Sequence, residues 1–246
     1  MPDQHAFDPL SFFNRLHRDF ERILTDKVGK AQAIDDTLAV AFDRCEETTT
    51  QLCQGQPELD CQKGCATCCT LRVLATAPEI FLIAKAIKAN PELRTVLPDR
   101  IFAADTVTRD LDEPGRVKLR RQCPFILSAG ACSIYSVRPL ACRGHASYSV
   151  KDCVDAAKGL AVEIAYSEPH QLVRSLVQNS LQSALREHNL AWGVFELNHA
   201  LTIALNDDAA LDHWLSGKNP LAAAQVQDIS EAEMAETFDA IKATRS

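Results

Sequence analysis

The stretch Cys61-Gln62-Lys63-Gly64-Cys65-Ala66-Thr67-Cys68-Cys69 places four thiols within nine residues. A second set, Cys123, Cys132 and Cys142, follows after about fifty residues of helix-like sequence. The chain starts Met-Pro-Asp-Gln-His-Ala-Phe-Asp, without a basic segment leading into an apolar one, so no secretory signal is expected. Dense thiols in such a chain read as metal ligands rather than disulfides. The expected setting is the cytoplasm, where thiols stay reduced.

The spacing says what kind of site to expect. Cys65-x2-Cys68 lets two sulfurs reach one ion from a single turn, and Cys61 can join them. Thiolates bind zinc tetrahedrally in four-cysteine sites and also hold iron–sulfur clusters. The side chains of adjacent residues diverge, so Cys69 is expected to face a second metal, bridge two metals, or be structural. Seven thiols exceed one mononuclear site. The run Cys61-x3-Cys65-x2-Cys68 also has the three-cysteine spacing of radical S-adenosylmethionine enzymes, but no barrel-like alternation of strands and helices surrounds it. A structural zinc knot and a functional metal or cluster site both fit.

The flanking sequence is helical. Phe12, Phe13, Leu16, Phe20, Ile23 and Leu24 recur at three- and four-residue steps and predict a helix over 11–28, broken at Gly29. A second is predicted over 31–53, with Cys45 and Cys53 as small buried hydrophobes on its apolar side, and Cys153 is read the same way. Gly64 suits a tight turn inside the cluster. Residues 71–75 read as a short strand or extended link. Thr76-Ala77-Pro78-Glu79 has capping-box spacing and opens a helix through Ile87. Asn90-Pro91 ends that helix and caps a short one; another is predicted from Pro98 to Leu111. Asp112-Glu113-Pro114-Gly115 is expected to be a loop. Arg116, Lys118, Arg120 and Arg121 read as a solvated face, placed to add positive charge beside the thiolates. Phe125-Ile126-Leu127 and Ser133-Ile134-Tyr135 flank a turn around Ala129-Gly130 and predict a small hairpin. From about 166 onward helices are expected, including 190–205, 207–216 and 221–244.

The fold expected is therefore mainly α, a helical domain around a cysteine-rich middle with little β structure. Its parts would be N-terminal helices (1–57), the cysteine-cluster region (58–145) and a C-terminal helical region (146–246) packing on it. A net charge of −7 argues against a general grip on nucleic acid, and no apolar run reaches the ~20 residues of a membrane span. The histidines are scattered; only His145 lies near the cysteine motifs, where it reads as a surface or capping group, with completing the coordination sphere or supporting a ligand as the alternative. No Ser-His-Asp or phosphate-loop signature occurs.

Residues 61–69, Cys123-Pro-Phe-Ile-Leu, Gly130-Ala-Cys132-Ser-Ile-Tyr135, Arg138-Pro139 and Cys142-Arg143 together resemble the CxxCxxCC family of zinc- or iron-chelating, YkgJ-type cysteine-cluster proteins. Flagellin lysine methylases look related through the same cluster. The resemblance spans roughly 58–145 and departs from the pattern at Ala66, where glycine is expected. It implies Cys61, Cys65, Cys68, Cys69, Cys123, Cys132 and Cys142 as metal ligands. It also marks Arg138 and Arg143 as groups that offset thiolate charge or bind an anionic ligand. The leading expectation is a metal-binding protein holding zinc or iron, with an iron–sulfur cluster among the forms it could take. The alternatives are a metal- or cluster-dependent enzyme, such as a protein methylase using S-adenosylmethionine, and a module whose helical ends bind a protein partner around structural zinc.

Overall fold

Asp8 accepts the Leu10 amide at 3.0 Å and, with Pro9 in the first turn, starts the first helix where the apolar spacing begins. In the computed structural model the chain runs α1 (Pro9–Asp26), α2 (Gln32–Leu52), β1 (Leu74–Ala75), α3 (Ala77–Ala89), α4 (Pro91–Thr108), α5 (Glu113–Leu119), α6 (Leu140–Arg143), α7 (Val150–Ala157), α8 (Glu168–Glu187), β2 (Phe195–Glu196), α9 (Leu197–Asn206), α10 (Ala210–Leu215) and α11 (Glu231–Ala243). The structure describes residues 7–62, 64–127, 130–228 and 230–244. The fold is mainly α, with the cysteines in the middle of the chain. Among the described residues no helix is long and apolar enough to cross a membrane.

The two ends of the chain share one core. α1 and α2 both pack on α8. Leu16 and Phe20 of α1, Leu38 of α2, and Val173, Val177, Leu181 and Leu185 of α8 are buried in one cluster. Each such side chain contributes about 1.5–3 kcal/mol on leaving water. α1 is gripped over a wider arc than its apolar stripe, so Asn14 and His17 are buried as well. A second layer sets α3 and α4 against α9. β1 and β2 pair antiparallel, Leu74 opposite Glu196 and Ala75 opposite Phe195, and tie the exit of the cysteine loop to the entry of α9.

Several local expectations change. Pro98 does not divide two helices; α4 runs through it. A proline costs one backbone hydrogen bond there, and the buried contacts of Leu97, Ile101 and Ala104 hold the helix across the gap. The expected loop at Asp112–Gly115 is the start of α5, because Asp112 accepts the Gly115 amide at 2.8 Å and Pro114 is tolerated in a first turn. The helix expected over 190–205 begins only at Leu197, since Phe195 and Glu196 are drawn into the strand pair. The last helix begins at Glu231, capped by Ser230, which accepts the Glu233 amide. The expected capping box at Thr76–Glu79 is present.

Candidate metal centre

The first cysteine motif is a chain of tight turns. Gly64 has φ +94, a conformation open to glycine. The Cys65 amide donates to the Gln62 carbonyl, the Cys69 amide to Ala66, and the Leu71 amide to Cys68, at 3.0–3.1 Å. The loop is docked from outside by the segment entering α7. The Ser147 amide donates to the Cys61 sulfur at 3.3 Å, and the Val150 amide to the Asp60 carboxylate at 2.8 Å. Lys63 lies outside the described residues.

The second motif is the expected hairpin. The Ser133 amide donates to the Phe125 carbonyl at 2.9 Å and the Leu127 amide to Ala131 at 3.0 Å. Ser128 and Ala129 of the expected turn lie outside the described residues. Cys142 then sits on α6, whose first amide, Leu140, donates to the buried Glu79 carboxylate at 2.6 Å. The same carboxylate accepts the Thr76 amide and hydroxyl, each at 2.7 Å. Glu79 therefore caps α3 and aims α6 with one side chain. Burial holds its pKa above the ordinary carboxylate value, against the pull of those donors.

Two contacts bring the motifs together. The Cys123 amide donates to the Cys69 carbonyl at 2.7 Å. Gly130 lies so close to the first loop that an added Cβ would stand 2.9 Å from the Gly64 carbonyl oxygen. Arg116 donates to the Leu71 carbonyl at 3.2 Å and is buried. The solvated-face reading thus holds for Lys118, Arg120 and Arg121 but fails for Arg116, whose charge reaches Cys123.

The thiols sense one another. Cys68 donates a hydrogen bond to the Cys69 sulfur, and that bond, then burial, drives its pKa strongly up. Burial raises Cys142, with Cys123, Cys132 and Cys68 adding repulsion and Arg138 opposing. Burial pushes Cys123 up to about 11, with Cys132 adding and the Phe125 amide, Arg116 and Arg100 opposing. Cys132 is raised by burial, against Arg138. Burial also raises Cys61, with Cys65, Cys153 and Cys68 adding repulsion. Mutual influence thus joins Cys61, Cys65, Cys153 and Cys68 in one set and Cys68, Cys123, Cys132 and Cys142 in another, with Cys68 common to both. No three of the thiols among the described residues lie within 4.8 Å of one another. The donor set, soft sulfur with cationic neighbours, fits zinc or iron.

The arginines differ in use. Arg138 stacks over the Tyr135 ring at 4.2 Å, its Nε is buried without a hydrogen-bond partner, and its charge reaches Cys68, Cys132 and Cys142. Arg143 stacks over Phe42 at 3.9 Å and donates to the Arg138 and Ser136 carbonyls at 3.1 and 2.7 Å. His145 packs edge-on against Tyr166, 5.0 Å between ring centres, and burial, aided by Arg174, lowers its pKa.

Of the three cysteines read as plain hydrophobes, only Cys45 is buried in the core. Cys53 is half-buried, with its sulfur 3.7 Å from His170 Nδ1, which also meets the Ser167 hydroxyl at 2.7 Å. Cys153 is half-buried on α7 beside Cys61. Its position eleven residues after Cys142, on the same side of the chain's cysteine-rich middle, was the one available sequence signal.

Residues 60–160 match the model of the CxxCxxCC family, described as a putative zinc- or iron-chelating domain. The match runs past Cys142 and includes Cys153. No curated protein and no solved structure matches the chain.

Proposed function

We propose that the chain chelates zinc or iron in a thiolate centre formed by Cys61, Cys65, Cys68, Cys69, Cys123, Cys132 and Cys142, with Cys153 as an eighth sulfur. The observation that carries the reading is the joining of the two motifs: the Cys123 amide donates to the Cys69 carbonyl at 2.7 Å, and Gly130 of the second motif packs against the Gly64 carbonyl of the first. Eight sulfurs are twice the four that a tetrahedral zinc takes, so a pair of ions, or a cluster with further thiolates around it, suits the donor count better than one ion.

The chain's own residues supply what such a centre needs. The α7 segment holds Cys61 through the Ser147 amide. Glu79 holds α6 and so Cys142. Arg138 offsets the negative charge that deprotonated thiols bring, and Arg143 fixes the carbonyl of Arg138. Bound, the metal supplies cross-links between loops that share only a few backbone hydrogen bonds. A centre of this many thiolates needs a reducing compartment to persist, and the cytoplasm is the compartment assigned under this reading.

Anaerobic purification followed by metal analysis and a visible spectrum tests the reading. Retention of about one or more equivalents of zinc or iron per chain is the expected result; less than about half an equivalent of any transition metal overturns it.

A further inference from the structure

We infer a second metal site, built from His17, Glu21 and Glu187 and suited to a divalent cation that takes nitrogen and oxygen ligands. It uses α1 and the last residue of α8, none of which carries a thiol of the cysteine centre. Among the described residues these are the three side chains whose donor atoms all lie within 4.8 Å of one another.

The geometry is that of a coordination shell. His17 Nε2 stands 3.2 Å from Glu187 Oε2 and 3.6 Å from Glu21 Oε2. Bonds of about 2.1 Å place neighbouring donors about 3.0 Å apart in an octahedron and about 3.4 Å apart in a tetrahedron, so the spacing admits either kind of ion. His17 and Glu21 are four residues apart on one helix, so their side chains share a face. His17 is 1% exposed while the two carboxylates are about one-third exposed, which leaves a side open for water as a fourth ligand.

The neighbours agree with this use. Lys242 binds Glu187 through Oε1, the oxygen turned away from His17, and also meets Asp239 at 3.2 Å. Asp239 in turn holds Arg186 through two bonds at 2.8 and 3.0 Å. The lysine thus borders the site without filling it. A ligating His donates its second ring N–H to a fixed acceptor. His17 Nδ1 is buried without a hydrogen-bond partner, and the Ser180 carbonyl lies beside the ring. Coordination through Nε2 places the proton on Nδ1, toward that carbonyl.

Manganese(II) is the probe, because thiolate centres prefer softer ions. The full-length protein, purified with its thiolate metal in place, is titrated with Mn(II) while free Mn(II) is followed by electron paramagnetic resonance. Uptake of about one equivalent is expected, weakened at least about tenfold in Glu21→Gln and in Glu187→Gln, with the thiolate metal content unchanged. Circular dichroism confirms that each variant is folded; Glu21→Gln, on an exposed edge, keeps the test usable if Glu187→Gln is not. No uptake at millimolar Mn(II) overturns the site and leaves an ion-pair cluster. Uptake unchanged in a folded Glu21→Gln variant overturns it as well. Neither outcome bears on the cysteine centre, which is read separately by its own metal content.

Discussion

The Glu79 carboxylate, buried at the start of α3, accepts the Leu140 amide at 2.6 Å and so orients α6 with Cys142. Glu79→Ala leaves two buried amides and a hydroxyl without their acceptor. Each orphaned donor costs about 1–3 kcal/mol, so a loss of at least about 2 kcal/mol is expected in urea unfolding. The variant also retains less metal, because Cys142 loses its support. Glu79→Gln, which keeps one acceptor oxygen, falls between the two.

Gly130 matters because its φ of +74 and its approach to Gly64 coincide. Gly130→Ala strains the backbone and drives a methyl group to 2.9 Å from the Gly64 carbonyl oxygen. Gly29→Ala is the control, since Gly29 shares the positive φ but has nothing within 4 Å of the added carbon. The control is expected to cost about 1 kcal/mol. Gly130→Ala is expected to cost more and to lower metal retention; equal costs would show that the two loops do not press on each other.

The thiols set a pH dependence of opposite sign in the metal-free and metal-loaded protein. The Cys123 pKa is raised in the fold from an ordinary 9.0 to about 11. A raised pKa gives stability that is complete below the unfolded value and is lost as pH climbs through the folded one. Metal-free protein should therefore lose stability between about pH 9 and 11, on the order of 2–3 kcal/mol from Cys123 alone, and Cys123→Ala should flatten that loss. Metal binding instead expels thiol protons, so affinity should rise with pH in a chelator competition run from about pH 6 to 8.

Arg138 and Arg143 should separate in their effects. Arg138→Gln removes the charge beside Cys68, Cys132 and Cys142 and is expected to weaken metal binding about tenfold or more. Arg143→Gln breaks bonds to two carbonyls and the stack on Phe42, so its main effect should be about 1–3 kcal/mol of stability. Metal competition and urea unfolding on the same two proteins distinguish these outcomes.

The sequence carried the local half of this structure. Helical periodicity is visible in α1 and α2 because each buries one stripe, and the capping box at Thr76–Glu79 is visible because its partners are three residues apart. The cysteine spacings announced the site. What was hidden is what joins distant segments. Glu79 reaches Leu140, Leu74 pairs with Glu196, and the Cys123 amide finds the Cys69 carbonyl; no local pattern encodes such partners. Pro98 misled because tertiary burial outweighed its one lost hydrogen bond. Cys153 looked like an isolated hydrophobe because only the docking of α7 onto Asp60 and Cys61 places it beside a motif cysteine. Nothing local marks His17 as buried, because α11 and the end of α8, which help enclose it, come more than a hundred and fifty residues later.

X-ray absorption at the edge of the retained metal tests the central claim most directly. A thiolate centre predicts a first shell of sulfur at about 2.3 Å, reduced when Cys68, the sulfur common to both sets, is changed to Ser. A first shell of nitrogen or oxygen near about 2.0–2.1 Å, unchanged in Cys68→Ser, would contradict it.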